Sequence, residues 1–103
     1  MSPLDPATLE KLIEDATVDA YGEEEQLIGL FTMIEENLAV PFTTTVLGVE
    51  VDVIGIDLTR DGRVVARCAR GAVRQNIGVL DLPLPDPAPE GSPWIEAYRH
   101  WAR

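Results

Sequence analysis

The side chains best suited to chemistry in this sequence are carboxylates, and they are concentrated near its beginning. From Met1 to Leu38 there are ten acidic residues and one basic residue, Lys11, which gives this segment a formal charge of −9. The densest group runs from Asp19 to Glu25. Hard divalent cations such as Ca²⁺ take about six to eight oxygen ligands in flexible geometry. One hypothesis is therefore a cation site, and the other is an acidic surface that only keeps the chain soluble.

Residues that could serve other chemistry are few. The chain has one cysteine, Cys68, and one histidine, His100, too few for a zinc site of the usual kind. Cys68 lies in a predicted strand, where a small buried hydrophobic residue is the commoner role. The run Asp57–Gly62 resembles the start of an EF-hand loop, but its twelfth position is Cys68 instead of a bidentate glutamate. These observations predict a protein that is not an enzyme.

Length and charge narrow the class of protein further. The chain has 103 residues, 46% of them hydrophobic, and a formal net charge of −10, so we expect a single folded domain over residues 1–103. A surface this negative repels phosphate groups, which argues against nucleic-acid and membrane partners. A lone cysteine and the absence of a signal-like segment predict a cytoplasmic protein. The sequence leaves protein partners and oligomeric state open.

Two helices are predicted in the acidic part, residues 1–38. Asp5 followed by Pro6 is typical of a helix start, and that helix is expected to end near Asp15. A second helix is predicted to begin after Gly22. Its apolar stripe, which should face a core, consists of Leu27, Leu30, Phe31, Ile34 and Leu38. The row predicted on its opposite side consists of Glu25, Gly29, Thr32 and Glu36.

Residues 39–82 change to the pattern of strands. Runs rich in valine and threonine are separated by Gly48, by Asp61-Gly62 and by Gly71, which predicts an antiparallel meander of about four strands. In the second strand, Val53 and Gly55 are expected on the same face. Residues 83–103 contain a proline-rich strap and a last helix from Trp94 to Trp101. The predicted fold is α+β, with the helices packed on a small SH3-like β-barrel or a curled sheet.

The arginines of the strand region are a further candidate surface. Their number equals that of the acids between Ala39 and Leu82, five of each. We therefore predict that they pair within the chain, with the acidic helices, and do not form a nucleic-acid site. Four of the five make up this candidate surface: Arg63, Arg67, Arg70 and Arg74.

A longer pattern lies between Val18 and Phe42. It combines an acidic turn, a glycine and an acidic helix end ahead of Pro-Phe, at Asp19–Tyr21, Glu23–Gln26, Gly29, Glu35–Glu36 and Pro41–Phe42. In this pattern the chain resembles the small acidic calcium-binding proteins of the cyanobacterial CcbP type. The resemblance implies a protein that binds Ca²⁺ and acts in intracellular calcium buffering or sensing.

The resemblance also implies a set of ligands. The acids that match the family's acidic positions are Asp19, Glu23, Glu24, Glu25, Glu35 and Glu36. Glu25 and Glu36 are eleven residues apart, about 16 Å along a helix, which is too far for one ion. If both ends of the helix bind, there are two sites. The alternative function is a protein–protein interaction module whose acidic helices only solubilise the chain or engage basic partners.

Overall fold

A computed structural model describes residues 4–102 as two helices, a four-stranded sheet and a third helix. The helices are α1 (Pro6–Ala16), α2 (Glu23–Asn37) and α3 (Ser92–Trp101). The strands are β1 (Phe42–Val46), β2 (Val49–Leu58), β3 (Val64–Arg70) and β4 (Val73–Gly78), and a 3-10 turn, Val79–Asp81, follows them. Met1–Pro3 and Arg103, which belong to the predicted domain, lie outside the described residues.

The start of α1 is fixed by its capping residue. Asp5 Oδ1 accepts a hydrogen bond of 2.8 Å from the Thr8 backbone N–H, which would otherwise lack a partner in the first turn. The same hydrogen bond holds the pKa of Asp5 below its ordinary value. Pro6 follows at the first helical position. The predicted helix start is confirmed, and the helix ends one residue later than expected.

The apolar stripe of α2 faces the core, as its spacing predicts. Leu27, Leu30 and Ile34 are buried, as is Leu38 just beyond the helix. They pack with β2, β3 and α3 in one hydrophobic cluster. Burial of such a side chain contributes roughly 1.5–3 kcal/mol. The side chains that are almost fully excluded from solvent are Leu30, Ile34, Val53, Val64, Val79, Leu82 and Ile95.

The sheet is an antiparallel meander in the order β1-β2-β3-β4. Within the described residues β1 and β4 are edge strands that do not pair with each other, so the sheet is open. The α+β class is confirmed, and the sheet does not close into the SH3-like barrel that was one of the two predicted arrangements. One expectation about β2 was wrong. The register shifts between Val53 and Gly55, so Ile56 instead of Gly55 joins Val53 in the core.

The proline-rich strap returns the chain to the helices. Its residue Glu90 accepts a backbone hydrogen bond of 2.8 Å from Ala39, just beyond the end of α2. α3 begins at Ser92, two residues earlier than predicted, because Pro93 fits within the first turn of a helix. Arg99 then donates to the Val79 carbonyl through Nε at 3.1 Å, which anchors α3 to the end of the sheet. No helix among residues 4–102 is both long and apolar enough to cross a bilayer.

Candidate metal site

The junction of α1 and α2 forms an open hollow of about 330 Å³ that contains two of the candidate ligands. Asp19 lies in the connection between the helices, and Glu25 lies in the first turn of α2. Both residues line this hollow although they are six positions apart in the sequence. The other lining residues are Ala16, Val18, Ala20, Ile28 and Gly29. Two acidic residues therefore border one space whose other walls are small or apolar.

The connection between the helices is held by its own hydrogen bonds. Thr17 Oγ1 donates to the Ile13 carbonyl at 2.7 Å, and the Ala20 N–H donates to the Thr17 carbonyl at 3.0 Å. The Tyr21 N–H donates to Glu25 Oε1 at 3.2 Å. A carboxylate has two oxygens and about four lone-pair positions. Glu25 is thus oriented by the connection and keeps acceptor capacity for a cation.

The end of α1 adds to the negative potential at this hollow. The last carbonyl groups of a helix have no partner within the helix and carry the negative end of its dipole. The last turn of α1 contains no basic side chain, and Ala16 at its end lines the hollow. Carbonyl oxygen is, like carboxylate oxygen, a ligand suited to Ca²⁺.

Glu23 and Glu24 belong to a second, neighbouring hollow. This space has a volume of about 490 Å³ and lies between the start of α2 and the loop that joins β2 to β3. Asp61 of that loop also lines it, as do Thr59 and Arg60. The sequence assigned Asp61 only a place in the turn. The first turn of α2 therefore directs its acids toward two spaces, Glu25 toward one and Glu23 and Glu24 toward the other.

Asp61 is already engaged within its loop. Its Oδ1 accepts from the Thr59 hydroxyl, and its Oδ2 pairs with Arg63 Nε at 3.1 Å. The hydrogen bond from Thr59 is the main cause that lowers the pKa of Asp61, with Arg63 contributing in the same direction. Strands β2 and β3 flank this loop, whereas helices flank the loop of an EF-hand.

Glu35 and Glu36 lie at the far end of α2, about 16 Å along the helix axis from Glu25. Glu35 lines a smaller hollow of about 160 Å³ together with Arg67 of β3. A guanidinium in the same space opposes a second cation there. Glu36 is exposed. The structure thus separates the six candidate ligands into three places.

The arginines pair with the sheet and its loops, which corrects the prediction that they pair with the acidic helices. Arg63 contacts Asp61, and Arg67 Nε lies 3.3 Å from Asp57 Oδ2. Arg70 donates to the Glu50 carbonyl and Arg74 to the Gly71 carbonyl. The reason is proximity, since cross-strand and turn neighbours supply acceptors on the sheet itself.

As a result, the candidate ligands form no ion pairs among residues 4–102, although Arg60 and Arg67 each line a hollow that also contains candidate ligands. Within residues 4–102 the ion pairs of α1, α2 and their connection are Lys11–Asp15 and Glu10–His100. None of the six acids predicted as ligands takes part in an ion pair in that range. In the described part of the chain, no three His, Cys, Asp or Glu residues lie close enough together to hold a metal ion as they stand.

Two solved structures share this fold over nearly the whole chain. One is the crystal structure of CcbP from Anabaena, with a TM-score of 0.78 and 20% sequence identity over 99% of this chain and 95% of that one. The other is a calcium-binding protein in its calcium-binding form, with a TM-score of 0.66 and 17% identity over 99% and 93%. No protein-family model and no curated protein matches the sequence. The resemblance to CcbP-type proteins is thus confirmed in the fold.

Proposed function

We propose that this protein binds Ca²⁺ and that Asp19 and Glu25 are central ligands of its principal site. The main observation behind the proposal is that both residues line one hollow and that neither forms an ion pair among residues 4–102. It is supported by the shared fold with a protein described as calcium-binding. A divalent cation would relieve the repulsion among these acids and so stabilise the folded chain.

The remaining ligands would come from neighbouring oxygens. Glu23 and Glu24 line the neighbouring hollow and are exposed, and we propose that their side chains turn toward the ion when it binds. A carbonyl at the end of α1 and water would complete the shell. Glu35 and Glu36 are too distant to share this ion and would form a second site at the end of α2, which Arg67 in the hollow beside Glu35 would weaken. Because the acids are exposed and spread over separate hollows, the affinity should lie in the micromolar to sub-millimolar range, of the order of 10⁻⁶ to 10⁻⁴ M.

The proposed role is binding, for intracellular calcium buffering or sensing, and not catalysis. Cys68, the only cysteine in the sequence, is 3% exposed within β3, and burial raises the pKa of its thiol. A raised pKa keeps a thiol protonated and poorly nucleophilic.

A set of isosteric variants tests the site. Asp19→Asn and Glu25→Gln each remove one charge with little change in shape, and Glu36→Gln makes the same change at the other end of α2. We expect the first two to weaken the tighter Ca²⁺-binding phase by about tenfold and Glu36→Gln by less than about twofold. Equal effects of all three variants would place the principal ion elsewhere.

A second candidate function is docking of a basic protein segment, favoured by apolar side chains beside the same acids. Val18 is 77% exposed and Tyr21 is 93% exposed. A basic partner would be attracted by the acidic helices. A complex with such a partner that survives a chelator in size-exclusion chromatography would favour this function over calcium binding.

A further inference from the structure

Gly29 faces the end of α1, although its row on α2 predicts a position on the side away from the core. A Cβ atom built at Gly29 would lie 2.2 Å from the carbonyl oxygen of Ala16 and 3.3 Å from its carbonyl carbon. Both neighbours are backbone atoms, so no side-chain rotation can relieve the overlap. The last turn of α1 can therefore approach α2 this closely only because residue 29 has no side chain.

This contact lies next to the proposed ligands. Ala16 and Gly29 line the same hollow as Asp19 and Glu25. The next residue, Thr17, donates through Oγ1 to the Ile13 carbonyl, and its own carbonyl accepts the N–H of Ala20, so hydrogen bonds tie the connection to the end of α1. The Tyr21 N–H then reaches Glu25. The position of Asp19 relative to Glu25 is consequently set by how closely α1 approaches α2.

We infer that Gly29 is a positioning residue of the calcium site. Its missing side chain holds the end of α1 against α2, and that contact brings Asp19 to the same ion as Glu25. The inference rests on the proposed function and concerns how the site is assembled. Gly29 itself contributes no ligand.

The experiment compares Gly29→Ala with Gly22→Ala. Gly22 ends the same connection and has an extended backbone, and a Cβ atom added to it would meet no neighbouring atom within 4 Å, so alanine fits there. Alanine is favoured over glycine inside a helix, so weaker binding by Gly29→Ala would not come from a weaker α2. We expect Gly29→Ala to weaken Ca²⁺ binding in calorimetric titration by about tenfold or more and Gly22→Ala by less than about threefold. Equal affinities of the two variants would overturn the inference.

A double-mutant cycle separates positioning from general destabilisation. If Gly29 acts by placing Asp19, then Asp19→Asn should cost much less affinity in the Gly29→Ala background than in the wild-type protein. Full additivity would contradict the inference. If the wild-type protein binds Ca²⁺ and the Gly29→Ala variant binds it equally well, only the role of Gly29 is refuted. If the wild-type protein binds no Ca²⁺, the proposed function is refuted.

The wild-type protein gives a second test in case Gly29→Ala does not fold in chelator. In nuclear magnetic resonance spectra, the Gly29 amide signal should shift during a Ca²⁺ titration with the same midpoint as Asp19. Gly48 and Gly71, in the turns at the far end of the sheet, serve as controls. A Gly29 signal that stays fixed while that of Asp19 moves would overturn the inference.

Discussion

The indole N–H of Trp101 donates a hydrogen bond of 3.0 Å to Gln26 Oε1, across 75 positions of the sequence. This bond joins the end of α3 to the first turn of α2, directly after Glu25. The ring of Trp101 also stacks on Tyr98, with a centroid distance of 6.2 Å. The last helix is thereby in contact with the turn that carries three of the proposed ligands.

The Trp101–Gln26 bond predicts an optical signal for ion binding. In a Trp94→Phe variant, Trp101 is the only tryptophan, and its emission should change as Ca²⁺ reorients the first turn of α2. The midpoint of this change should match that of the calorimetric titration. A Trp101→Phe variant, which keeps Trp94, is the control and should show a much smaller response. Constant Trp101 emission during a titration that calorimetry shows to saturate would contradict the coupling.

The cap at Asp5 predicts a stability difference that depends on pH. The folded-state pKa of Asp5 is lowered, so its charged form contributes stability above the ordinary value of about 3.9, and that contribution is lost as the pH falls through the lower, folded value. Asp5→Ala should therefore lower the Tm at neutral pH, and the difference from wild type should shrink in acid. Asp5→Asn, which retains a capping oxygen, should lose less at neutral pH. A gap between wild type and Asp5→Ala that is unchanged in acid would argue against the cap.

The buried side chain of Ile95 predicts how strongly α3 contributes to the core. Ile95 is fully buried, whereas Leu80, in the nearby 3-10 turn, is 51% exposed. Ile95→Ala should lower the free energy of unfolding by about 2–5 kcal/mol because it removes buried methyl groups and leaves a cavity. Leu80→Ala should change it by only about 0.5 kcal/mol. Urea denaturation measures both, and similar losses would mean that α3 is not packed as described.

Most of the fold could be predicted from the sequence because its signals are local. The Asp5-Pro6 start, the stripe from Leu27 to Leu38 and the turn glycines each determine structure within a few residues. Features that depend on distant neighbours were missed. The shift of register at Gly55 places its backbone against Arg67, whose Nη2 would lie 2.1 Å from a Cβ atom there. Spacing within β2 contains no sign of that contact.

The candidate site was predictable as a group of residue types but not as an arrangement. The sequence singled out Asp19 and Glu25, and whether either is a ligand stays a prediction. Their shared hollow depends on the close approach of α1 to α2 at Gly29, a position that helical periodicity alone assigned to the opposite row. Asp61 was missed as a neighbour of Glu23 and Glu24 because it comes from a loop more than thirty residues away.

Isothermal titration of chelator-treated protein with Ca²⁺, repeated with Mg²⁺ as competitor, measures calcium binding itself. We expect saturable heat with a Kd of the order of 10⁻⁶ to 10⁻⁴ M, and a Tm that rises with Ca²⁺ concentration because the ion binds only the folded chain. Mg²⁺ should compete weakly, since it demands stricter octahedral geometry than these exposed oxygens provide. No heat and an unchanged Tm at millimolar Ca²⁺, on the order of 10⁻³ M, would contradict calcium binding by this protein.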